Sequence, residues 1–175
     1  MTERSPSEIK AASANGDSPQ GAHVLIVTSP YYADVAERLM AGAEAELSAR
    51  GATFEVVSVE GALEIPQALG AAVDAGVIPR RSDRGSGRFD GVIALGCVIR
   101  GETSHYDVVV GQANHWLMQI AVDNGIPAGN AILTVDTKEQ AMQRASGGRN
   151  GKGGDAARAC LGLIGLRQGL GAHNR

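Results

Sequence analysis

Val92-Ile93-Ala94-Leu95-Gly96-Cys97-Val98-Ile99-Arg100-Gly101-Glu102-Thr103-Ser104-His105-Tyr106-Asp107 changes character half-way along. Its first four residues are apolar without alternation, which is how a strand buried on both faces of a parallel sheet reads. Gly96 and Gly101 then loosen the backbone, and Thr103, Ser104 and His105 set polar groups against a helix that continues Val108-Val109-Val110. Ser104 and Asp107 have the spacing of a capping box, which predicts a helix start at about Ser104 with His105 in the first turn. Such a start points unpaired N–H groups and the positive end of the helix dipole at an anion, phosphate above all.

Outward from this unit the chain keeps a strand–helix rhythm. His23 to Thr28 reads as a first strand, followed by Ser29-Pro30-Tyr31-Tyr32. Val35, Leu39, Ala43 and Leu47 then share one helical face, and Gly51 stops that helix. Phe54 to Val59 makes a second strand, Gly61 to Pro66 a loop, and Pro66 the first turn of a helix reaching Gly76. The helix after the quoted stretch should turn Val109, Ala113, Trp116 or Leu117, Ile120 and Ala121 inward and end at Asn124-Gly125. Ala131 to Val135 is a short fourth strand with Asn130 just ahead of it. Thr137 and Gln140 cap a helix through Arg144, and Asp155 caps a last helix carrying Leu161, Ile164 and Leu170. The expected fold is α/β: a three-layer α/β/α sandwich, flavodoxin-like, on a four-stranded parallel sheet with right-handed crossovers.

Two segments stand apart. Residues 1–22 are rich in Ser, Ala, Pro and charge and lack periodicity, so they read as a flexible tail or as a strand added to a neighbouring subunit; residues 23–175 form the domain. Val77 to Arg88 holds four arginines and reads as an exposed loop, without the interleaved aromatics of a nucleic-acid surface. Gly147 to Gly154 has the composition of a phosphate loop. It nevertheless lies between two helices, and Lys152 is not followed by Ser or Thr, so it is not read as one.

Composition bounds the function classes. With 175 residues and 43% hydrophobic content the chain can build a core without staples, and 3% aromatic residues with 24 glycines imply tight packing of small side chains. A net charge of −3 gives no argument for nucleic acid or an anionic membrane as partner. Cys97 and Cys160 lie far apart in the chain with neither C-x-x-C nor metal spacing, which suits a reducing cytoplasm. The N-terminus has no secretory pattern and no apolar run is long enough to span a bilayer, so the expected location is cytoplasmic.

In an open parallel sheet, ligands bind beyond the carboxyl ends of the strands. Those ends offer Tyr31 and Tyr32, then Ala62, Leu63 and Glu64, then Cys97 to His105, a list that suits a polar heterocycle and a small phosphorylated molecule. Each residue has a plainer alternative. The tyrosines could close the sheet edge, Glu64 could cap the next helix, and His105 could be a solvated helix-start residue. Cys97, at the end of a buried strand, could be a small apolar residue rather than a nucleophile. Arg100 and Arg144 could be ordinary surface charges.

The strings GCVIRGETSHYD at Gly96 to Asp107, GALEIP at Gly61 to Pro66 and EQAMQRAS at Glu139 to Ser146 together resemble the lumazine synthase family. The resemblance spans roughly Val24 to Gln168. It implies a transferase of riboflavin biosynthesis that condenses 5-amino-6-(D-ribitylamino)uracil with 3,4-dihydroxy-2-butanone 4-phosphate. The products are 6,7-dimethyl-8-ribityllumazine, phosphate and water, and no metal or cofactor takes part. By the same resemblance Tyr31 stacks on the pyrimidine, and Ala62, Leu63 and Glu64 hold the ribityl chain. Cys97, Val98 and Ile99 read the uracil edge, Glu102 and Thr103 hold phosphate through backbone amides, and His105 transfers protons. Arg144 completes the phosphate site, Asn130 contacts the pyrimidine, and Lys152 with Asp155 lies near the phosphate region.

Three residues depart from the family pattern: Leu63 replaces the commoner Phe, Asn130 stands where many members have Phe, and Pro30 replaces an arginine. The resemblance also implies a homopentamer with sites between neighbours, which in some members assembles into a decamer or a sixty-subunit shell, and it admits riboflavin synthase as a partner. The competing reading is a low-activity or non-catalytic flavin- or lumazine-binding, shell-forming relative.

Overall fold

The computed structural model describes residues 21–80 and 87–172. Four strands form one sheet: β1 (His23–Thr28), β2 (Thr53–Ser58), β3 (Gly91–Ile99) and β4 (Ala128–Val135). All pairings are parallel and the order is β2-β1-β3-β4. Among the described residues there are five α-helices: α1 (Ala33–Ala49), α2 (Glu64–Asp74) and α3 (His105–Asn124) connect successive strands, and α4 (Lys138–Ala145) and α5 (Lys152–Ala172) follow β4. One apolar cluster joins α1, α4 and α5 to one face of the sheet, and a second joins α2 and α3 to the other. The three-layer expectation therefore holds among the described residues.

The central strand explains the arrangement. Gly91 to Cys97 of β3 is buried, with Ile93 and Leu95 facing one cluster and Val92 and Ala94 the other. An apolar run without alternation is what this two-sided burial requires. Strand order reverses between β1 and β3, so the crevice beyond their carboxyl ends is the switch point at which open α/β sheets bind ligands. There the Ser29 N–H donates to the Leu95 carbonyl at 2.9 Å, which holds the two strand ends together.

Several local expectations shift. The second helix begins at Glu64, two residues before Pro66, whose missing N–H falls in a first turn where no partner is needed. β4 starts at Ala128, so Asn130 lies inside the strand. Trp116 is half exposed and Leu117 is the buried member of that pair. α5 begins at Lys152, placing Asp155 in its first turn rather than at a cap. The expected Ser104–Asp107 capping box does not form. Ser104 already has helical angles (φ −65°, ψ −5°), which keep its hydroxyl off the following amides, and Asp107 bonds Arg100 instead. The Thr137 cap does form, accepting from the Gln140 N–H at 3.3 Å.

The tail expected over residues 1–22 lies outside the described residues up to residue 20; Ala22 is buried and its carbonyl accepts from Thr53 at 2.9 Å. Of the arginine-rich loop, residues 81–86 lie outside the described residues, and within its described part Ile78 is buried under α2 rather than exposed. The glycine-rich segment Gly147 to Gly154 is a packing joint. A side chain at Gly153 would overlap the Leu39 carbonyl of α1, and one at Gly154 the Arg149 carbonyl. Glycine here lets α5 lie directly on α1, not a ligand on the loop.

Candidate active site

A cavity of about 320 Å³ opens at the switch point. Tyr31 and Tyr32 come to it from the β1–α1 turn, Gly61 to Glu64 from the start of α2, and Cys97 to Ile99 from the end of β3. Gly101, Thr103, His105, Tyr106 and Val109 come from the β3–α3 turn and the first turns of α3. Nine of the residues proposed from sequence thus meet at one place: Tyr31, Ala62, Leu63, Glu64, Cys97, Val98, Ile99, Thr103 and His105.

The walls differ in chemistry. Tyr31 stands 73% exposed at the mouth, in edge contact with Tyr32 at 5.1 Å between ring centres, so its face is free to receive a flat heterocycle. The Lys138 ammonium of α4 lies 4.9 Å from the Tyr32 ring centre and pairs with Asp34. That hydrogen bond is the largest influence on Asp34 and holds its carboxyl below the ordinary range. Burial, with Tyr31 and Cys97 adding to it, raises the Tyr32 phenol, and Lys138 opposes the rise. Burial also pushes the Cys97 thiol up to about 11, so at neutral pH it is a protonated, small wall group. His105 is exposed at the first position of α3. Its N–H meets Thr103 Oγ1 at 3.4 Å, and its ring has no hydrogen-bond partner among the described residues.

Four candidates lie off the cavity wall. Glu102 is exposed in the turn beside it. Arg144 is exposed on α4, its Nη1 donating to the Gln140 carbonyl at 3.4 Å, with no acidic partner among the described residues. Lys152 pairs with Asp155 at 2.8 Å. Asn130 pairs in register with Ala94, five residues before the end of β4, which is about 16 Å along the strand. Its amide is fixed, Nδ2 donating to Asn114 at 2.7 Å and Oδ1 accepting the Ile132 N–H at 2.8 Å. Tyr106 and Lys138 were not singled out from sequence. Tyr106 adjoins His105 in the helix start and was legible from that position; Lys138 has no sequence signal, since only the packing of α4 on α1 brings it to Tyr32.

Among the described residues no group of three His, Cys, Asp or Glu side chains is placed to hold a metal ion, and no helix is long and apolar enough to cross a membrane. The cavity instead offers an aromatic face, strand-end backbone, an imidazole and a helix start, which suit condensation of a heterocycle with an anionic small molecule.

Comparison with known proteins agrees. Residues 21–168 match the family model described as 6,7-dimethyl-8-ribityllumazine synthase. The chain belongs to this family. Among curated relatives, the 6,7-dimethyl-8-ribityllumazine synthase of Azorhizobium caulinodans is 46% identical over 92% of this chain and 96% of its own. That of Methylocella silvestris is 49% identical over 87% and 89%. The protein named 6,7-dimethyl-8-ribityllumazine synthase 1 of Rhizobium meliloti is 47% identical over 86% and 94%. In all three the match runs through the site and both packing layers rather than through one motif.

Proposed function

We propose that this chain condenses 5-amino-6-(D-ribitylamino)uracil with 3,4-dihydroxy-2-butanone 4-phosphate. The reaction gives 6,7-dimethyl-8-ribityllumazine, phosphate and two molecules of water. The observation that carries the reading is the convergence of Tyr31, Glu64, Cys97 to Ile99, Thr103 and His105 on one cavity in a chain of this family. Tyr31 stacks on the pyrimidine, Ala62 to Glu64 hold the ribityl chain, and the β3 end reads the uracil edge. Glu102 and Thr103 meet the phosphate at the α3 start, where free N–H groups and the helix dipole favour an anion.

The 5-amino nitrogen attacks the ketone carbon and one water leaves, giving an imine. Loss of the adjacent C–H proton expels phosphate from the neighbouring carbon and leaves an enol, which takes up a proton to become a ketone. The ribitylamino nitrogen then attacks that ketone and the second water leaves as the ring closes. No protein nucleophile is needed, so most of the acceleration comes from holding two reactants in register. His105, with its ring free, moves the protons, a contribution on the order of 10²-fold.

Arg144 completes the phosphate site from α4, and Asn130 enters through assembly. In this reading Asn130 serves the cavity of a second copy, since the strand length separates it from its own. Val56 and Val57 on edge strand β2, Trp116 on α3 and Leu170 on α5 are exposed, apolar side chains on several faces that suit self-association into a pentamer or a multiple of it. The cytoplasm is the corresponding location, and the substrates are the partners we propose.

The test mixes both substrates with the full chain and follows lumazine absorbance against the spontaneous reaction, with sedimentation of the same sample. Catalysis above background, lowered by His105→Ala, is expected. Arg144→Ala is expected to raise KM for the phosphorylated substrate about tenfold, the equivalent of one charge-assisted hydrogen bond. An unchanged KM would remove Arg144 from the site, and absence of catalysis would overturn the function.

A further inference from the structure

The turn that receives phosphate in this reading has few ties of its own. Glu102, Thr103 and Ser104 are exposed, Ser104 makes no side-chain cap, and the His105 N–H reaches Thr103 Oγ1 only at a long 3.4 Å. Arg100, just before this turn, supplies what is missing. Its N–H donates to the Val135 carbonyl at 2.9 Å, and its Nε to Asp136 Oδ1 at 3.1 Å. Its Nη1 donates to Asp107 Oδ1 at 3.3 Å, and its guanidinium carbon lies 4.1 Å from the centre of the Tyr106 ring. One side chain therefore joins the end of β3, the β4–α4 turn and the first turn of α3.

The ties continue toward α4. The Asp136 N–H donates to Gln140 Oε1 at 2.9 Å, and the Gln140 carbonyl accepts from Arg144 Nη1 at 3.4 Å. Resting on the function proposed above, we infer that Arg100 is a positioning residue for the phosphorylated substrate, holding Thr103 to Tyr106 and the Arg144 helix in one frame. It does not line the cavity and acts through its neighbours. A planar fork is needed for this, because a single ammonium cannot reach two carboxylates on different elements while lying flat on a ring. The Arg100 side chain is 48% exposed, so these pairs contribute little to global stability, and their effect is on geometry.

The test compares Arg100→Met, Arg100→Lys and Asp136→Asn with the parent, as full chains in their own assembly. Arg100→Met is expected to raise KM for the butanone phosphate about tenfold, to leave KM for the ribitylaminouracil within about twofold, and to keep the urea midpoint. Arg100→Lys should fail to restore the parent value, and Asp136→Asn should move the same KM in the same direction. Added to Arg144→Ala, Arg100→Met should cost about twofold or less, since both act on one contact.

An unchanged butanone phosphate KM, full rescue by lysine, or an equal rise in both KM values with a lowered urea midpoint would overturn the inference. If Arg100→Met does not fold, Asp136→Asn decides by the same readings. If the parent lacks synthase activity, the function falls separately. Calorimetric titration of inorganic phosphate then decides: weaker binding in the variants upholds Arg100, and equal binding removes it.

Discussion

Two segments that precede helices in this chain, one with a single glycine and one rich in it, use glycine for opposite purposes. The β3–α3 turn holds Gly101 beside the cavity, where an added side chain would meet nothing within 4 Å among the described residues. The segment Gly147 to Gly154 is open at Gly148 but has no room at Gly151, Gly153 and Gly154. Gly153 lies against the Leu39 carbonyl and Gly154 against that of Arg149, and Gly42 of α1 approaches Gly148 from the other side. The turn leaves space for a ligand, whereas the joint removes space between two helices. By composition alone Gly147 to Gly154 is the better match to a phosphate loop; by packing, only the β3–α3 turn can admit a phosphate.

The closed segment should be the more fragile. Gly153→Ala is expected to destabilise the protein by about 3 kcal/mol, because neither the Leu39 backbone nor α5 can yield without repacking the layer. Urea denaturation checks this, and a parent-like midpoint would break the comparison at its firmer end.

Next in size is Glu46, fully buried beneath the same segment, accepting from Arg50 and Arg149 at 2.8 Å each and facing Arg158 at 3.4 Å. Burial alone would push its carboxyl up, but Arg149, Arg50 and Arg158 outweigh that and hold it below the ordinary range. Such a group contributes stability above the ordinary carboxylate pKa of about 4.3 and loses it as pH falls through the lower native value. Glu46→Gln should therefore cost about 2 kcal/mol at pH 7, less than for a fully buried pair because the arginines are partly in water. The gap from the parent should narrow below about pH 4; urea midpoints at both pH values measure it, and a constant gap would mean that the carboxylate charge is not the lock.

How much of this was legible depended on whether a feature is local. The β3 run, the Thr137–Gln140 cap and the Gly51 stop are local patterns, and all three stand in the structure. So are the strand-end candidates, since a parallel sheet sends every strand's carboxyl end to one edge. What sequence did not give is non-local. The Ser104–Asp107 box had the right spacing but lost Asp107 to Arg100, whose other partner lies 36 residues away. Arg100 reads as a surface charge, and Lys138 carries no signal at all, because their partners come from other elements. The crowding at Gly153 is likewise invisible until α1 and α5 meet. Asn130 is the converse case, a residue expected at the site from resemblance alone that one chain does not bring to its cavity.

Cys97 tests the open side. Its thiol, raised to about 11 by burial, is not a thiolate at neutral pH, so Cys97→Ala should keep kcat within about threefold. A nucleophilic role would instead show as a loss of several orders of magnitude, with rapid iodoacetamide inactivation of the parent at pH 8.

The smallest effect on stability belongs to Gly101→Ala, and it bears most directly on the comparison. Gly101 does not use the left-handed backbone that excludes alanine, and the space beside it is open. The urea midpoint should therefore stay within about 0.5 kcal/mol of the parent, or rise slightly as the unfolded chain loses freedom. If that space belongs to the phosphate, the added methyl group intrudes only when ligand is bound. KM for the butanone phosphate should then rise several-fold while KM for the ribitylaminouracil holds. A loss of stability would put Gly101 in the same class as Gly153. With neither quantity changed, the open turn would be merely vacant, and glycine there would say nothing about what the site binds.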